Sequence, residues 1–267
     1  MKPSIITLLT DFGFQDYFVG AMKGVVLSIN PDVRIVDITH EIPPQDIHAA
    51  AFNLFAVYKS FPLATIHLAV VDPGVGSARR PILVECAGQF FVGPDNGLFS
   101  WICEREGRWR AYHLTNENFF NHPVSATFHG RDIFAPVAAA LSNGVAPAEF
   151  GPPIHDVVQL ESLTPKTTAD GTIEATIIHI DRFGNCITNL TAEHLGEKPI
   201  SAKLIVSDRE IRSFRRFFAE QSDEDNELFG IIGSAGFVEI AAQNSAAAGI
   251  LNARRGQRVI LITSHEK

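Results

Sequence analysis

Three short apolar segments in the first half of the chain each carry an aspartate at or near their end. "LLTDFG" contains Asp11, "IVDIT" contains Asp37 and "VVDPG" contains Asp72. In open parallel sheets, ligands bind outside the carboxyl ends of the strands. Three carboxylates in that zone predict a ligand site there. An aspartate after a strand also serves as a helix N-cap or in an Asx turn, and that alternative stays open for all three.

The loop "DPGVGSARR" brings two arginines close in sequence to Asp72. A buried carboxylate is costly unless it is paired. The tight Pro-Gly turn is able to fold Arg79 or Arg80 back onto Asp72, whereas Arg80, which precedes Pro81, is alternatively just exposed. The loop has neither the GK[ST] ending of a phosphate-binding loop nor a GxGxxG pattern, so it is only a weak signal for phosphate.

The stretch "FHGRDIFAPVAAAL" places His129 and Gly130 directly before an apolar helix. A helix N-terminus lowers the pKa of a histidine and favours its neutral form. His129 is therefore a candidate for proton chemistry, or else a histidine of the helix start with no chemical role. Arg131 and Asp132 are expected to pair with each other.

Two turns in the second half carry polar groups. In "HIDRFGNCITNL", Asp181 and Asn185 flank Phe183 at a glycine turn. These residues predict either a β-turn with side-chain capping or an aromatic and an amide that stack on and hydrogen-bond a purine. In "GSAGFVEIA", Ser234 belongs either to a plain turn or to a set of backbone donors for a carboxylate.

The elements that position these residues follow from hydrophobic periodicity. Strands are predicted at residues 4–9, 33–39 and 65–72, and helices at 16–29 and 46–61, with Asp46 as an N-cap. This alternation is typical of a parallel sheet with helices on its faces. Near residue 150 the pattern changes to short β segments and turns. We predict an α/β N-terminal domain over 1–160, with a mainly parallel sheet and flanking helices, and a smaller, mostly β domain over 170–267.

The overall composition limits the classes of function that are compatible with this chain. The chain has 267 residues, of which 46% are hydrophobic, and a formal net charge of -8. The acidic balance argues against a nucleic-acid partner. We find no apolar run near the length of a membrane span, and the N-terminus is interpreted as a first strand. Cys86, Cys103 and Cys186 form no CxxC pair, which predicts a cytoplasmic protein with buried thiols and no metal site of that kind.

Seven blocks of the chain together resemble the S-adenosyl-L-methionine (SAM) hydrolases, also called SAM hydroxide adenosyltransferases, which are relatives of the fluorinases and chlorinases. The blocks are "LLTDFGFQDYFVGAMKGV", "VDITHEIPPQDIHAAAFNL", "FPLATIHLAVVDPGVGSARRPI", "GPDNGLFS", "FHGRDIFAP", "IDRFGNCITNL" and "GSAGFVEIA". Their order and spacing match the family over nearly the whole chain. The resemblance implies a β-barrel-like C-terminal domain and a homotrimer. In that trimer, substrate lies between the N-terminal domain of one subunit and the C-terminal domain of its neighbour.

The reaction that the resemblance implies is displacement at ribose C5′ of SAM by water, giving adenosine and L-methionine without a cofactor or a metal. The family's catalytic residues correspond to Asp72, Arg79 and His129. Its substrate contacts correspond to Asp11 for the ribose diol, Asp16, Asp181 and Ser234 for the amino-acid end, Phe183, Asn185 and Phe218 for adenine, and Phe128 as a further binding residue.

The resemblance disfavours the halogenase branch. Where the fluorinase has a tyrosine and a halide-binding threonine, this chain has Asp72 and Val75, and an anionic Asp72 would repel a halide. Where the fluorinase has a tyrosine and a serine, this chain has His129 and Gly130. A SAM or adenosine sensor without turnover and a metal-dependent hydrolase built on the aspartates are the remaining alternatives.

The chemistry of a sulfonium substrate suggests how the three residues share the work. The leaving group departs as a neutral thioether, so it needs no general acid. We expect Asp72 and His129 to orient the attacking water and Arg79 to fix Asp72. His129, whose ordinary pKa lies near ~6.5, is expected to be the final proton acceptor.

Overall fold

The structure divides into two compact units with separate sheets and separate cores. The computed structural model describes residues 4–196, 202–220 and 226–263. The units are Met1–Ser162 and Leu163–Lys267. The predicted division at residues 160–170 lies close to this boundary.

The first unit contains a seven-stranded mixed sheet. Its strands are β1 (Ile5–Thr10), β2 (Arg34–Thr39), β3 (Ile66–Val70), β4 (Pro81–Cys86), β5 (Gln89–Pro94), β6 (Trp109–His113) and β7 (Pro153–Ile154). The strand order is β2-β1-β3-β5-β4-β6-β7. Neighbours from β2 to β5 are parallel, and the remaining pairs are antiparallel. The predicted mainly parallel sheet is therefore parallel in one half only, because β4 and β5 form a hairpin that reverses the chain.

Four helices pack on this sheet. They are α1 (Phe18–Ile29), α2 (Ile47–Val57), α3 (Ser100–Glu106) and α4 (Ala135–Ser142). The predicted N-cap is confirmed, since the Asp46 side chain accepts a hydrogen bond from the Ala49 amide. The predicted 46–61 helix ends at Val57 and continues as a short 3₁₀ turn. In the described ranges, no helix is both long and apolar enough to cross a bilayer.

Strand β3 explains how the two faces of the sheet are covered. All five of its residues are buried, as expected for a parallel strand between two layers of helix. Because successive side chains point to opposite faces, Ile66 and Leu68 join the core formed with α1 and α4. His67 points to the other face, where its ring stacks on Phe91 at 4.9 Å between centroids. The fold thus buries a titratable ring at the centre of its sheet.

The second unit is built on a nine-stranded, mostly antiparallel sheet. Its strands are β8 (Lys166–Thr167), β9 (Ile173–Ile180), β10 (Cys186–Thr191), β11 (Lys203–Val206), β12 (Arg209–Ile211), β13 (Ser213–Arg215), β14 (Leu228–Ile232), β15 (Phe237–Ala242) and β16 (Arg258–Ile262). The order is β12-β11-β16-β9-β10-β15-β14-β13, with β8 beside β9. The sheet is barrel-like, since β12 near one end of this order contacts β14 near the other.

Two short helices, α5 (Ala192–Leu195) and α6 (Ala247–Leu251), complete the second unit. The α6 helix lies in the segment "SAAAGILNA", where the sequence predicts a helical turn or two. A core of aliphatic side chains from β9, β10, β11, β15 and β16 fills the sheet. The mostly β character predicted for this part of the chain is therefore what the structure contains.

The buried His67 generates a prediction about stability and pH. Its Nδ1 lies 2.8 Å from the Thr7 hydroxyl, and burial lowers its pKa to about 4. The unfolded chain takes up this proton near pH 6.5, so the unfolded state binds more protons between pH 6.5 and 4. We expect the free energy of unfolding to fall by up to about 3 kcal/mol as pH drops through that window.

Urea unfolding of wild type and His67→Asn across pH 7 to 4 measures this contribution. The variant should show a shallower loss of stability than wild type over that range. His122→Asn, a substitution of the same kind at an exposed position, is the matched control. Parallel curves for wild type and His67→Asn would contradict the assignment.

Candidate active site

The carboxyl ends of the parallel strands do carry two of the three predicted aspartates. Asp11 directly follows β1, and Asp72 follows β3 by two residues. Asp37 instead lies within β2, where it accepts a hydrogen bond from Lys23 at 2.6 Å and lies 3.2 Å from His40 Nε2. Burial alone would raise the pKa of Asp37, but the hydrogen bonds from Lys23 and His40 outweigh it and the pKa is lowered. Asp37 is therefore already paired with Lys23 and His40.

The turn after β3 folds Arg79 back onto Asp72. Arg79 Nε donates to Asp72 Oδ1 at 2.9 Å, and Arg79 Nη2 donates to Asp72 Oδ2. The side chains are only 10% and 5% exposed, respectively. Two parallel N–H···O bonds are the geometry in which a buried ion pair offsets much of its desolvation cost. Of the two arginines considered from the sequence, Arg79 is the one that reaches Asp72.

Glycine at position 76 allows this turn. Gly76 has φ +75°, and a Cβ added there would lie 2.3 Å from the carbonyl oxygen of Ala126. A side chain at position 76 would therefore force apart the 72–79 loop and the segment that leads to His129. The close approach of two backbones gives a structural reason for glycine in this loop.

His129 joins the pair through Arg79. Its Nδ1 lies 2.9 Å from Arg79 Nη2. Because a guanidinium only donates, Nδ1 must accept, so the neutral ring carries its proton on Nε2. Burial and the Arg79 charge lower the pKa of His129, while Asp72 and Asp132 act in the opposite direction. The sequence predicted a neutral histidine from the helix N-terminus, but burial and the neighbouring guanidinium are the causes in the structure.

Arg79 is the centre of this arrangement. Its guanidinium lies over the ring of Phe134, with 5.1 Å from Cζ to the ring centroid. Nη1 is buried and has no hydrogen-bonding partner among the described residues. A buried donor without a hydrogen bond is costly, so Nη1 marks the point at which the site can still bind an acceptor.

Asp132 fixes the segment that carries His129. His129 immediately precedes a π-helical turn, Gly130–Phe134, that runs directly into α4. The fully buried Asp132 carboxylate accepts from Arg131 Nε at 2.7 Å and from the Ser125 amide at 2.8 Å. The expected Arg131–Asp132 pair is thus confirmed, and it anchors the segment that leads into His129.

Asp11 faces the same edge of the sheet. Its Oδ2 accepts a hydrogen bond from the Gln45 amide at 2.8 Å, and Gln45 adopts the left-handed conformation, φ +65°, to present that amide. Burial raises the pKa of Asp11, the Gln45 hydrogen bond opposes the rise, and the negative charge of Asp72 adds to it. The structure therefore brings Asp11 within electrostatic reach of Asp72.

An aromatic cluster borders Asp11. Phe128 is buried and packs edge-on against Phe12 and Phe18, with ring centroids 6.0 and 5.1 Å away. Tyr17 stacks on Phe18 at 4.6 Å and is 67% exposed. Asp16 is exposed in the loop between β1 and α1. These contacts place Phe128 against Phe12, the residue that follows Asp11, and Asp16 lies in the same loop as Asp11.

The remaining predicted binding residues lie in the second unit. Asp181 Oδ1 accepts from the amides of Phe183 at 2.9 Å and Asn185 at 2.8 Å, and Oδ2 accepts from Asn185 Nδ2 at 2.9 Å. The capped β-turn considered from the sequence is therefore present, and it leaves Phe183 78% exposed. Ser234 is exposed in the β14–β15 turn, and Phe218 is half-exposed against Phe229.

Two sets of residues near these sites were not singled out from the sequence. Burial raises the pKa of Glu239, and the negative charge of the nearby Asp181 raises it further. Asp95 and Asn96 of "GPDNG" hydrogen-bond to the two ends of the 72–79 loop. The Asp-Asn pair in the turn directly after an apolar strand was the available signal for both residues. Within the described part of the chain, no three His, Cys, Asp or Glu side chains are grouped to hold a metal.

Comparison with known proteins gives a consistent match. The chain matches the SAM hydroxide adenosyltransferase N-terminal domain over residues 6–151 and the C-terminal domain of the same description over 175–260. A protein of Methanocaldococcus jannaschii named (R)-S-adenosyl-L-methionine hydrolase is 36% identical over 93% of this chain and 92% of its own length. One of Salinispora tropica with the same name is 38% identical over 95% of this chain and 96% of its own length.

A solved structure and a second class of relatives also match. The crystal structure of an uncharacterised conserved protein from Thermotoga maritima has a TM-score of 0.88 and 32% identity, covering 96% of this chain and 100% of that one. A protein of Actinoplanes sp. named fluorinase is 28% identical over 70% of this chain and 71% of its own length.

The Arg79–His129 contact generates a prediction for NMR. We expect ring ¹⁵N shifts of His129 to show the Nε2–H tautomer and its pKa to lie below the ordinary value. Arg79→Gln removes the neighbouring positive charge and should raise that pKa, whereas Asp72→Asn removes a negative charge and should lower it further. An Nδ1–H tautomer, or a pKa that Arg79→Gln leaves in place, would contradict the geometry.

Proposed function

The chain belongs to the SAM hydroxide adenosyltransferase family, and we propose that it hydrolyses (R)-S-adenosyl-L-methionine to adenosine and L-methionine. The observation that carries the proposal is the convergence of Asp72, Arg79 and His129 at the carboxyl end of β3. The R configuration at sulfur follows the name of these relatives, (R)-S-adenosyl-L-methionine hydrolase.

The reaction is a displacement at carbon. The oxygen of a water forms a bond to ribose C5′, and the C5′–S bond breaks with its electron pair going to sulfur. Sulfur leaves as a neutral thioether, so the protein has no charge to neutralise on the leaving group. Its tasks are to hold one water in line with the C5′–S bond and to accept a proton. Alignment of this kind contributes about 7–11 kcal/mol to catalysis in favourable cases.

We assign Asp72 as the group that binds the attacking water and accepts its proton. Arg79 occupies one lone-pair direction on each of its carboxylate oxygens, which leaves the others free to accept from a water. A carboxylate is too weak a base to remove a proton from unreacted water. As the C–O bond forms, however, the oxygen becomes strongly acidic, and Asp72 is then a sufficient acceptor. The proton leaves with bond formation rather than before it.

His129 acts in this scheme as a hydrogen-bond donor. Its Nδ1 lone pair is taken by Arg79, and its pKa is lowered by burial and by that same charge. Both facts count against His129 as the final proton acceptor, the role expected from the sequence. Its Nε2–H instead donates to the oxygen of the water, which leaves a lone pair of that oxygen directed at C5′.

The charge of the site suits a cationic substrate. Asp11 and Asp72 lie at one edge of the sheet, and the charge of Asp72 contributes to the raised pKa of Asp11. A sulfonium is attracted by such a pair, and a halide is repelled. We propose Asp11 as the ribose-diol ligand, since a carboxylate accepts two hydrogen bonds from a diol. No metal or cofactor is part of the proposed chemistry.

Further substrate contacts are proposed on both units. Phe183 offers an exposed aromatic face, and stacking on a base contributes about 1–3 kcal/mol in nucleic-acid binding. Asp181 Oδ2 accepts one hydrogen bond within its turn and has a second direction free for an ammonium. The other proposed contacts are Asp16 and Ser234 for the amino-acid end, Asn185 and Phe218 for adenine, and Phe128.

The test is to incubate purified protein with separated epimers of SAM and to identify products by chromatography. We expect adenosine and methionine from the R epimer, at equal rates with and without EDTA. A 5′-halo product at high halide would establish the halogenase, activity abolished by EDTA would establish a metal enzyme, and tight binding without any product would establish a sensor.

Two substitutions should separate chemistry from binding. Asp72→Asn removes the proposed proton acceptor, and we expect kcat to fall on the order of 10²-fold or more while adenosine affinity changes little. Asp11→Ala removes the proposed ribose ligand, and we expect KM to rise on the order of tenfold or more. Steady-state kinetics and adenosine titrations measure both effects. The proposal is wrong if Asp72→Asn retains wild-type kcat.

We also propose a homotrimer in the cytoplasm, in which the binding residues of the second unit serve the site of a neighbouring copy. Exposed aromatic side chains on each unit, Phe14 and Tyr17 on one and Phe183 and Phe217 on the other, support an association. The three cysteines are free thiols, in keeping with a reducing compartment.

Mixing two inactive variants tests the shared site. Asp72→Ala damages the first unit and Phe183→Ala the second, so a mixed trimer contains sites in which both halves are intact. Co-refolded variants should recover about a quarter of wild-type activity, whereas each variant alone stays low. Sedimentation should give the trimer mass in every sample. No recovery in confirmed mixed trimers would show that each copy completes its own site.

A further inference from the structure

The turn that follows β5 contacts the exit of β3. Asn96 Nδ2 donates to the carbonyl oxygen of Val71 at 2.8 Å, and Val71 immediately precedes Asp72. The β3–β5 pairing runs only as far as Leu68 and Val92, so the Asn96 amide holds the chain beyond the last paired residues. Asn96 Oδ1 in turn accepts from the Leu98 amide at 3.3 Å, which fixes the amide's orientation.

Asp95 holds the C-terminal end of the 72–79 loop. Its side chain is 2% exposed, and its Oδ2 accepts from Arg80 Nε at 2.9 Å and from Arg80 Nη2 at 2.6 Å. The Asp95 amide also donates to the carbonyl oxygen of Arg80 at 2.9 Å. Asp95 Oδ1 accepts from the Val158 amide at 2.8 Å. Arg80 is therefore not the merely exposed arginine considered from the sequence; it is an anchor.

The two neighbouring arginines thus face different partners. Arg79 reaches Asp72, and Arg80 reaches Asp95 and, through Nη1 at 2.8 Å, Asp156. A rotation of the backbone at Arg80 would swing Arg79 out of its bidentate contact. A slip of the chain at Val71 would move Asp72 itself. Displacements of about 1 Å at reacting groups cost on the order of 10²-fold in rate.

We propose that Asp95 and Asn96 are positioning residues, which fix the two ends of the 72–79 loop and thereby set the distance between Asp72, Arg79 and His129. They act through Val71 and Arg80 and contact no substrate. The inference rests on the proposed function for its kinetic consequence, but its geometric consequence at His129 is independent of turnover.

Asn96→Asp is the direct test. It keeps the size of the side chain and the acceptor for Leu98, but it replaces the donor to Val71 by an oxygen that repels the carbonyl. We expect kcat to fall tenfold or more, with KM and adenosine affinity within about threefold of wild type. We also expect the pKa of His129, followed by NMR, to move from its wild-type value as the Arg79 contact loosens.

Asn116→Asp is the matched control. Asn116 makes the same two kinds of contact as Asn96. Its Oδ1 accepts from the Asn118 amide at 3.3 Å, and its Nδ2 donates to the carbonyl oxygen of Glu149 at 2.8 Å. The substitution makes the same chemical change away from the 72–79 loop, and kcat and the His129 pKa should stay at wild-type values. If Asn96→Asp fails to fold, Asn96→Ala removes the donor without adding repulsion and serves in its place.

The outcomes separate the two proposals. Wild-type protein without SAM turnover would refute the proposed function, and the His129 pKa in Asn96→Asp would still decide the positioning role. Wild-type turnover with an unchanged kcat and an unchanged His129 pKa in Asn96→Asp would overturn the positioning role alone. Equal losses in Asn96→Asp and Asn116→Asp would also overturn it, because they would indicate a general loss of structure.

Discussion

The ion pair between Asp72 and Arg79 is the interaction on which the first unit's site depends. Both side chains are almost fully buried. A buried pair loses hydration on both partners and is retained without a large penalty only when its geometry is good and its remaining polar atoms find partners. Here the contact is bidentate, His129 accepts a further Arg79 hydrogen bond, and the Phe134 ring lies against the guanidinium. Loss of either partner would leave an uncompensated charge at the sheet edge.

The pair also decides the chemistry available to its neighbours. Because Arg79 donates to Nδ1, His129 is held as a neutral donor, and its depressed pKa follows from burial and the adjacent positive charge. Asp72 in turn raises the pKa of Asp11 further than burial alone. One guanidinium and one carboxylate therefore add to burial in shifting the pKa values of two side chains that come from other segments of the chain.

Much of the surrounding backbone serves to hold this pair and Asp11 in place. Gly76 lets the 72–79 loop approach Ala126, Asp132 pins the segment before His129, and Gln45 adopts a left-handed conformation to reach Asp11. Two of these features carry a local cost, the buried Asp132 carboxylate and the positive φ of Gln45, and hydrogen bonds offset both. The concentration of such features at one edge of the sheet is typical of a functional site.

The sequence alone determined the features that are local. Short apolar runs placed β1, β2 and β3, helical patterning placed α1 and α2, and an aspartate before an alanine-rich run identified the Asp46 cap. The residue types at positions 72, 79 and 129, together with seven matched blocks, were enough to identify the family. These signals depend on neighbours within a few residues, so they are readable without the fold.

The tertiary structure decided which of these side chains meet. Arg79 and His129 are 50 positions apart, and their contact requires the fold of the first unit to bring the end of β3 and the start of the π-helical turn together. The same is true of Asn96 and Val71 across β5 and β3. The antiparallel pairings of β6 with β4 and β7, the tautomer of His129 and the anchoring role of Arg80 all follow from such non-local contacts. Hydrogen bonds between distant segments depend on register and packing, and those are properties of the folded chain as a whole.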